Sequence, residues 1–183
     1  MFARTERLML RPGWIEDAPA LSRAIGDEAV VRNLARAPWP YALGDAQAFL
    51  KGPAESRLPN VLIFARTQAA PRLVGGIGLH RDESGEVELG YWIARPYWGL
   101  GFATEAGRAV VNMAQDSLRL DRIVSGHFLD NPASGHVLRK LGFTPTGRID
   151  ARPCRARGCL VPFVAYERVS EAVALGDMPR LAA

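Results

Sequence analysis

Gly99-Leu100-Gly101 lies between an apolar run, Leu89-Gly90-Tyr91-Trp92-Ile93-Ala94, and a helical pattern. In that pattern Ala103, Ala106, Val110, Met113, Ala114 and Ser117 fall on one face. The chemistry this spacing supports is the holding of a phosphate. Glycines at a strand-to-helix junction permit a tight turn and leave successive N–H groups uncovered. The first four N–H groups of a helix lack intrahelical partners, and the helix dipole adds partial positive charge there. A phosphate or pyrophosphate suits such a place, so a phosphorylated cofactor is expected. A Walker loop is excluded, because it needs Gly-Lys-Ser/Thr where this chain has Gly101-Phe102-Ala103. A dinucleotide fingerprint also fails, since Thr104 stands where its third glycine would be. Taken alone, Gly-x-Gly is equally compatible with a simple turn.

A second strand-plus-helix unit follows. Ile123-Val124-Ser125-Gly126-His127-Phe128-Leu129 reads as a strand and leads into Asp130-Asn131-Pro132-Ala133-Ser134. Asn131 is a natural N-cap, with Pro132 at the first helical position. Val137, Leu138 and Leu141 supply a core stripe, and Gly142 is placed to end the helix in the left-handed conformation.

Together these two units resemble the GNAT superfamily of acetyl-CoA-dependent N-acetyltransferases. The likeness is greatest to the branch related to ribosomal-protein N-terminal acetyltransferases. It spans nearly the whole chain, from Thr5-Glu6-Arg7-Leu8-Met9-Leu10-Arg11-Pro12 through Asp17-Ala18-Pro19-Ala20-Leu21 and Gly75-Gly76-Ile77-Gly78-Leu79 to Glu88-Leu89-Gly90-Tyr91-Trp92-Ile93. One departure is Pro96, which stands where the superfamily usually has a basic or amide residue. The resemblance implies an α+β fold, with a mixed, mainly antiparallel central sheet flanked by helices. It also implies acetyl-CoA as cosubstrate and an amine as acceptor.

Acetyl transfer to an amine needs a bound thioester, a neutral amine, a stabilised oxyanion and a proton for the departing thiolate. By resemblance, the backbone of Trp98, Gly99, Leu100, Gly101, Phe102, Ala103 and Thr104 holds the pyrophosphate. The pantetheine arm lies along Trp92, Ile93 and Ala94 like an added strand, beside a gap where this strand and the one at 124–128 splay apart. An N–H near Ile93 then faces the developing oxyanion. Glu88, embedded among apolar neighbours, is the candidate base for the incoming ammonium, and Glu86 is the second choice. A carboxylate that faces solvent or pairs with an arginine is the competing reading, as is a route without a base. Asn131 is implied to touch the pantetheine amide or orient the site, and Ser134 to protonate the CoA sulfur. Many members use a tyrosine on this helix for that step, but His136 and Val137 occupy the neighbourhood here. Ser134 could instead merely reinforce the helix start, and His136 is an alternative acid. Trp39, Tyr41 and an Arg152-Pro153-Cys154-Arg155 loop are candidates to wall the acceptor site.

The remaining elements must position these groups. Strands are expected over residues 4–10, 61–67, 73–80 and 87–94, and helices over 16–25, 27–35 and from Asp45 to about Ser56. Closing strands are expected at Thr146–Ile149 and Leu160–Arg168, and residues 171–183 read as a tail on a single domain spanning 1–170.

A chain of 183 residues buries roughly two-thirds of its unfolded surface in one core. Neither a membrane-spanning run nor an apolar leader is seen, so a cytoplasmic location is expected. A net charge of +4 favours anionic partners such as CoA. The arginines are scattered without interleaved aromatics, which argues against nucleic-acid binding as the main function. Cys154 and Cys159 are expected as free thiols, and no metal site is expected. Homodimerisation is left open. The alternative function is a non-catalytic acyl-CoA-binding or sensing domain that keeps the cofactor loop.

Overall fold

Apolar residues that alternate along the first two-thirds of the chain fold into an antiparallel meander with both faces covered. The computed structural model describes residues 2–52, 57–82 and 84–170. In chain order, β1 (Ala3–Arg4) and β2 (Leu8–Arg11) are followed by α1 (Ala18–Ile25), α2 (Glu28–Val31) and α3 (Leu43–Lys51). Next come β3 (Asn60–Ala65), β4 (Arg72–Arg81) and β5 (Val87–Ile93). The chain then runs through α4 (Phe102–Asp116), β6 (Arg122–Phe128), α5 (Pro132–Lys140), β7 (Thr144–Cys154) and β8 (Cys159–Val169). The sheet order is β1-β2-β3-β4-β5-β6-β8-β7. The β5–β6 pair is parallel and the other neighbours are antiparallel. This is the mixed, mainly antiparallel α+β architecture expected from the sequence.

Alternation assigns the faces. Leu8, Leu10, Val61, Ile63, Ile77, Leu79 and Leu89 pack against Ala106, Val110 and Ala114 of α4 and Leu138 of α5. Leu62 and Phe64 point the other way, onto Leu21 and Ile25 of α1 and Ala46 of α3.

Several boundaries differ from expectation, each for a local reason. The opening strand is broken at Thr5, whose N–H donates to Leu8 O and whose hydroxyl accepts from Leu8 N, both at 3.0 Å. The second helix stops at Val31 rather than residue 35, because carbonyls beyond it turn to the β7–β8 hairpin. Arg157 Nε donates to Arg32 O at 2.8 Å, and Arg155 N to Ala35 O at 2.9 Å. Helix α3 begins at Leu43, with Asp45 inside its first turn accepting from Ala42 N at 2.8 Å. The expected extension of this helix to Ser56 lies outside the described residues, as does the proposed tail over 171–183. Strand β7 runs to Cys154, so the Arg152-Pro153-Cys154 segment, expected as a loop, is ladder opposite Cys159–Val161. Among the described residues, no helix is long and apolar enough to cross a membrane.

Candidate active site

The parallel strands β5 and β6 pair at Glu88↔Val124 and then part. One residue further on, the Ser125 hydroxyl reaches across to donate to Leu89 O at 2.8 Å. Beyond that point is the gap expected from the sequence. Which backbone groups face it follows from strand geometry. Ala94 N–H bonds Val74 O on β4 at 2.9 Å. Alternate residues of an antiparallel strand direct their backbone groups to the same neighbour, so Gly90 and Trp92 also serve β4. Tyr91 and Ile93 therefore turn theirs to the gap, and the Ile93 carbonyl is already held there by Trp98 Nε1 at 2.6 Å. The Ile93 N–H and both backbone groups of Tyr91 remain to receive an extended, amide-bearing chain as an added strand.

At the end of this gap lies the glycine loop. Gly99 and Gly101 have φ of 77° and 80°, in the left-handed region where a Cβ is strained. Gly101 is the N-cap of α4, so the N–H groups of Phe102, Ala103 and Thr104 have no partner within the helix. The Phe102 side chain is buried in the core, so this residue can offer a ligand its backbone alone. Sequence reasoning missed the side chain that braces the loop. Arg7, from the β1–β2 turn, donates through Nη1 to Leu100 O at 3.0 Å and through Nε to Glu105 at 2.7 Å. Thr5 Oγ1 donates to the same Glu105 carboxylate at 2.6 Å. The second terminal nitrogen of Arg7 lies 3.5 Å from where a side chain at Gly101 would begin. A cation therefore stands at the loop despite Pro96. The one hint in the sequence was polar Glu105 in the first turn of an otherwise apolar-faced helix.

Ser134, the third residue of α5, does not reinforce its own helix start. Its hydroxyl lies 2.7 Å from the Tyr91 hydroxyl, which also reaches Ser134 O at 3.0 Å. A tyrosine does therefore stand at this position, supplied by β5 across the gap rather than by the helix. Burial pushes the Tyr91 phenol up to about 12, against a smaller lowering by the Ser134 hydrogen bond, so it stays protonated at neutral pH. Asn131 occupies the N-cap position, but its side chain makes no capping bond, contrary to expectation. Its carbonyl accepts from Ser134 N at 3.2 Å instead. His136 is exposed on α5.

Glu88, Gly90 and Trp92 project from the opposite face of β5. Glu88 is 9% exposed, and its Oε1 lies 2.5 Å from Arg152 Nη1. His80, its cross-strand partner, places Nε2 at 3.8 Å from Oε2. Burial, then the nearby Arg36 charge, lower the His80 pKa below the usual imidazole value, with Glu88 opposing, which leaves the ring neutral at pH 7. Above Gly90 the floor is open, with His80 Cε1 at 3.7 Å as the atom nearest to a would-be side chain. Glu86, the second-choice base, pairs with Arg122 at 2.5 Å near the start of β5.

The roof over this face is built from two segments. Trp92, Leu34, Ala37, Tyr41 and Ala156 of the hairpin tip all pack against the buried cluster that includes Leu62, Phe64 and Val31. Arg157 and Arg32 both hold Asp130, at 2.8 and 3.3 Å. Arg152 stacks on Phe163 with its guanidinium 3.9 Å from the ring centre, so it belongs to the floor pair with Glu88 rather than to a loop. Trp39, the other aromatic candidate, is 42% exposed. Cys154 and Cys159 face each other across the hairpin as free thiols. Among the described residues, no group of His, Cys, Asp and Glu side chains is arranged to hold a metal ion. A hydroxyl relay on one side of β5, N–H donors in the gap and an imidazole–carboxylate pair on the other side together suit acyl transfer.

The family described as "Acetyltransferase (GNAT) domain" matches residues 7–144. The chain is 30% identical over 158 residues to the uncharacterized N-acetyltransferase YoaA of Bacillus subtilis, covering 78% of this chain and 82% of that protein. A GNAT-family acetyltransferase structure from Bacillus anthracis superposes with a TM-score of 0.78 at 21% identity, over 92% of this chain and 98% of its own. The spermidine N-acetyltransferase of Vibrio cholerae, solved with CoA and spermine, superposes with a TM-score of 0.71 at 17% identity, over 90% and 96% of the two chains. These two likenesses concern the fold.

Proposed function

Since the chain belongs to the GNAT acetyltransferase family and is an acetyltransferase, we propose that it transfers acetyl from acetyl-CoA to a primary amine by direct attack in a ternary complex. The observation that carries this reading is the gap beyond Glu88↔Val124, with the Ile93 N–H turned into it and the Gly99–Thr104 loop at its end. In this reading the pyrophosphate rests on the loop amides and the pantetheine pairs with β5 along Trp92–Ala94. The thioester carbonyl then reaches the Ile93 N–H, with Asn131 and Ser134 at the α5 end of the gap.

The acceptor enters over Gly90 on the Glu88 side and loses its ammonium proton there. The free amine attacks the carbonyl carbon, and the C=O electrons move to the oxygen, where one pre-aligned donor is worth about 2.7–4 kcal/mol. Collapse breaks the C–S bond. The thiolate takes a proton from Ser134, and the second proton shed by the nitrogen restores the Ser134–Tyr91 hydroxyl pair, so that only the first ammonium proton leaves the site. Holding both reactants in line contributes on the order of 7–11 kcal/mol of the acceleration. The acceptor in this reading is a protein N-terminal α-amine or a small-molecule amine.

Thiol release from acetyl-CoA, measured against peptides with free N-termini, polyamines and aminoglycosides, tests this. We expect turnover with at least one class. Tight acetyl-CoA binding without turnover of any amine would instead mark a binding or sensing domain.

A further inference from the structure

Resting on the amine-acetylation reading, we propose that His80 is the group that takes the proton from the incoming ammonium, with Glu88 as its partner carboxylate. Glu88 is poorly placed to take that proton itself. One of its oxygens is committed to Arg152 at 2.5 Å, and its side chain is only 11% exposed. Protonating it would break a largely buried ion pair and leave the guanidinium without its anion. The other oxygen faces His80 Nε2 at 3.8 Å.

His80 has what the step needs. Its Cε1 edge, which lies between the two ring nitrogens, borders the open space over Gly90 at 3.7 Å. Its side chain is 36% exposed, so a captured proton can pass to solvent. The charged groups around it are Glu88 on β5, Arg152 on β7, Arg36 after α2 and Asp82 at the end of its own strand. The two arginines favour the neutral, proton-accepting ring, and Glu88 steadies the imidazolium once formed. The balance is simple: R–NH3+ gives one proton to a ring nitrogen, and the electron pair left on nitrogen becomes the nucleophile.

The test compares wild type, His80→Gln and Glu88→Gln in kcat–pH profiles with acetyl-CoA, using spermine and a tripeptide with a free α-amine as acceptors. Wild type should lose activity with unit slope below an apparent pKa under 6.5, the imidazole reference value. Glu88→Gln should keep that limb but move it to lower pH, because the carboxylate that raises the ring's pKa is gone. His80→Gln should lose the limb and fall about 100-fold or more near neutrality, recovering as pH approaches the pKa of the amine. Calorimetric affinity of His80→Gln for acetyl-CoA should stay within about twofold of wild type, an energy change below about 0.5 kcal/mol. A His80→Gln profile that parallels wild type overturns the proposal while leaving amine acetylation intact. If wild type acetylates neither amine, it is the functional reading that fails on these acceptors. NMR titration of the His80 ring then decides the inference: a pKa of 6.5 or above, or none of the Glu88→Gln shift, overturns it.

Discussion

Ser134 and Tyr91 meet at 2.7 Å although they lie on different elements and different sides of the gap. A phenol has one proton to give. If it donates to Ser134 O, the serine hydroxyl is left to donate to the phenol oxygen or to a group in the gap. A departing thiolate is such a group, and it exists only late in the reaction. Ser134→Ala should therefore lower kcat by about 100-fold or more while acetyl-CoA affinity measured by calorimetry hardly changes. Tyr91→Phe keeps the ring's packing and removes the hydrogen bonds, so its stability loss in urea titration should be about 1 kcal/mol. Its kcat should fall less than that of Ser134→Ala. The sequence displayed Ser134 through its helix-start spacing. It hid Tyr91, whose position in a strand reads as core and whose partner is 43 residues away.

The loop and the helix it opens were legible as an element, because glycine at φ near 80° and unpaired helix N–H groups follow from local chemistry alone. What braces the element was not legible, since Arg7 and Glu105 come together only in the folded sheet. The reason for a glycine at 101 is also sharper than spacing suggested. A Cβ there meets nothing closer than the Arg7 nitrogen at 3.5 Å, so the penalty is the backbone conformation, about 1–2 kcal/mol for an L-residue. Gly101→Val should weaken acetyl-CoA binding at least tenfold, about 1.4 kcal/mol, by displacing the amides from that geometry. Arg7→Ala should weaken acetyl-CoA but leave S-acetylpantetheine, which lacks the pyrophosphate, unaffected. Steady-state KM for the two donors checks this, and equal losses for both would make Arg7 a general structural brace. The hairpin differs from expectation for a local reason: Pro153 and the two cysteines look like loop residues, yet short-range pairing with β8 carries the strand to Cys154.

Across the whole molecule, the proposed reading divides the labour between the two sheet faces, with the acyl donor beside α4 and α5 and the acceptor on the face that carries Glu88 and His80. Period-two alternation made the faces readable, whereas the roof depends on contacts between residues 32–35 and 154–157 that no local pattern encodes. Asp130 links those halves. The Arg157 hydrogen bond, with the charges of Arg157 and Arg32, holds its carboxyl below the usual value of 3.8. Its stabilisation is therefore present above the unfolded pKa and is lost as pH falls through the lower folded one. The group is partly exposed, so Asp130→Asn should cost about 1 kcal/mol or less at pH 7, and urea titrations of the two proteins should converge in strong acid.

In the proposed function a phosphorylated acyl donor lies in the β5–β6 gap on backbone amides. Amide chemical shifts recorded as CoA is added to 15N-labelled protein test it most directly. The largest changes should fall on Tyr91–Ala94 and residues 99–104, with Ser134 following. Saturable binding that moves amides elsewhere while leaving Ile93 and the Gly101–Thr104 amides in place would contradict it.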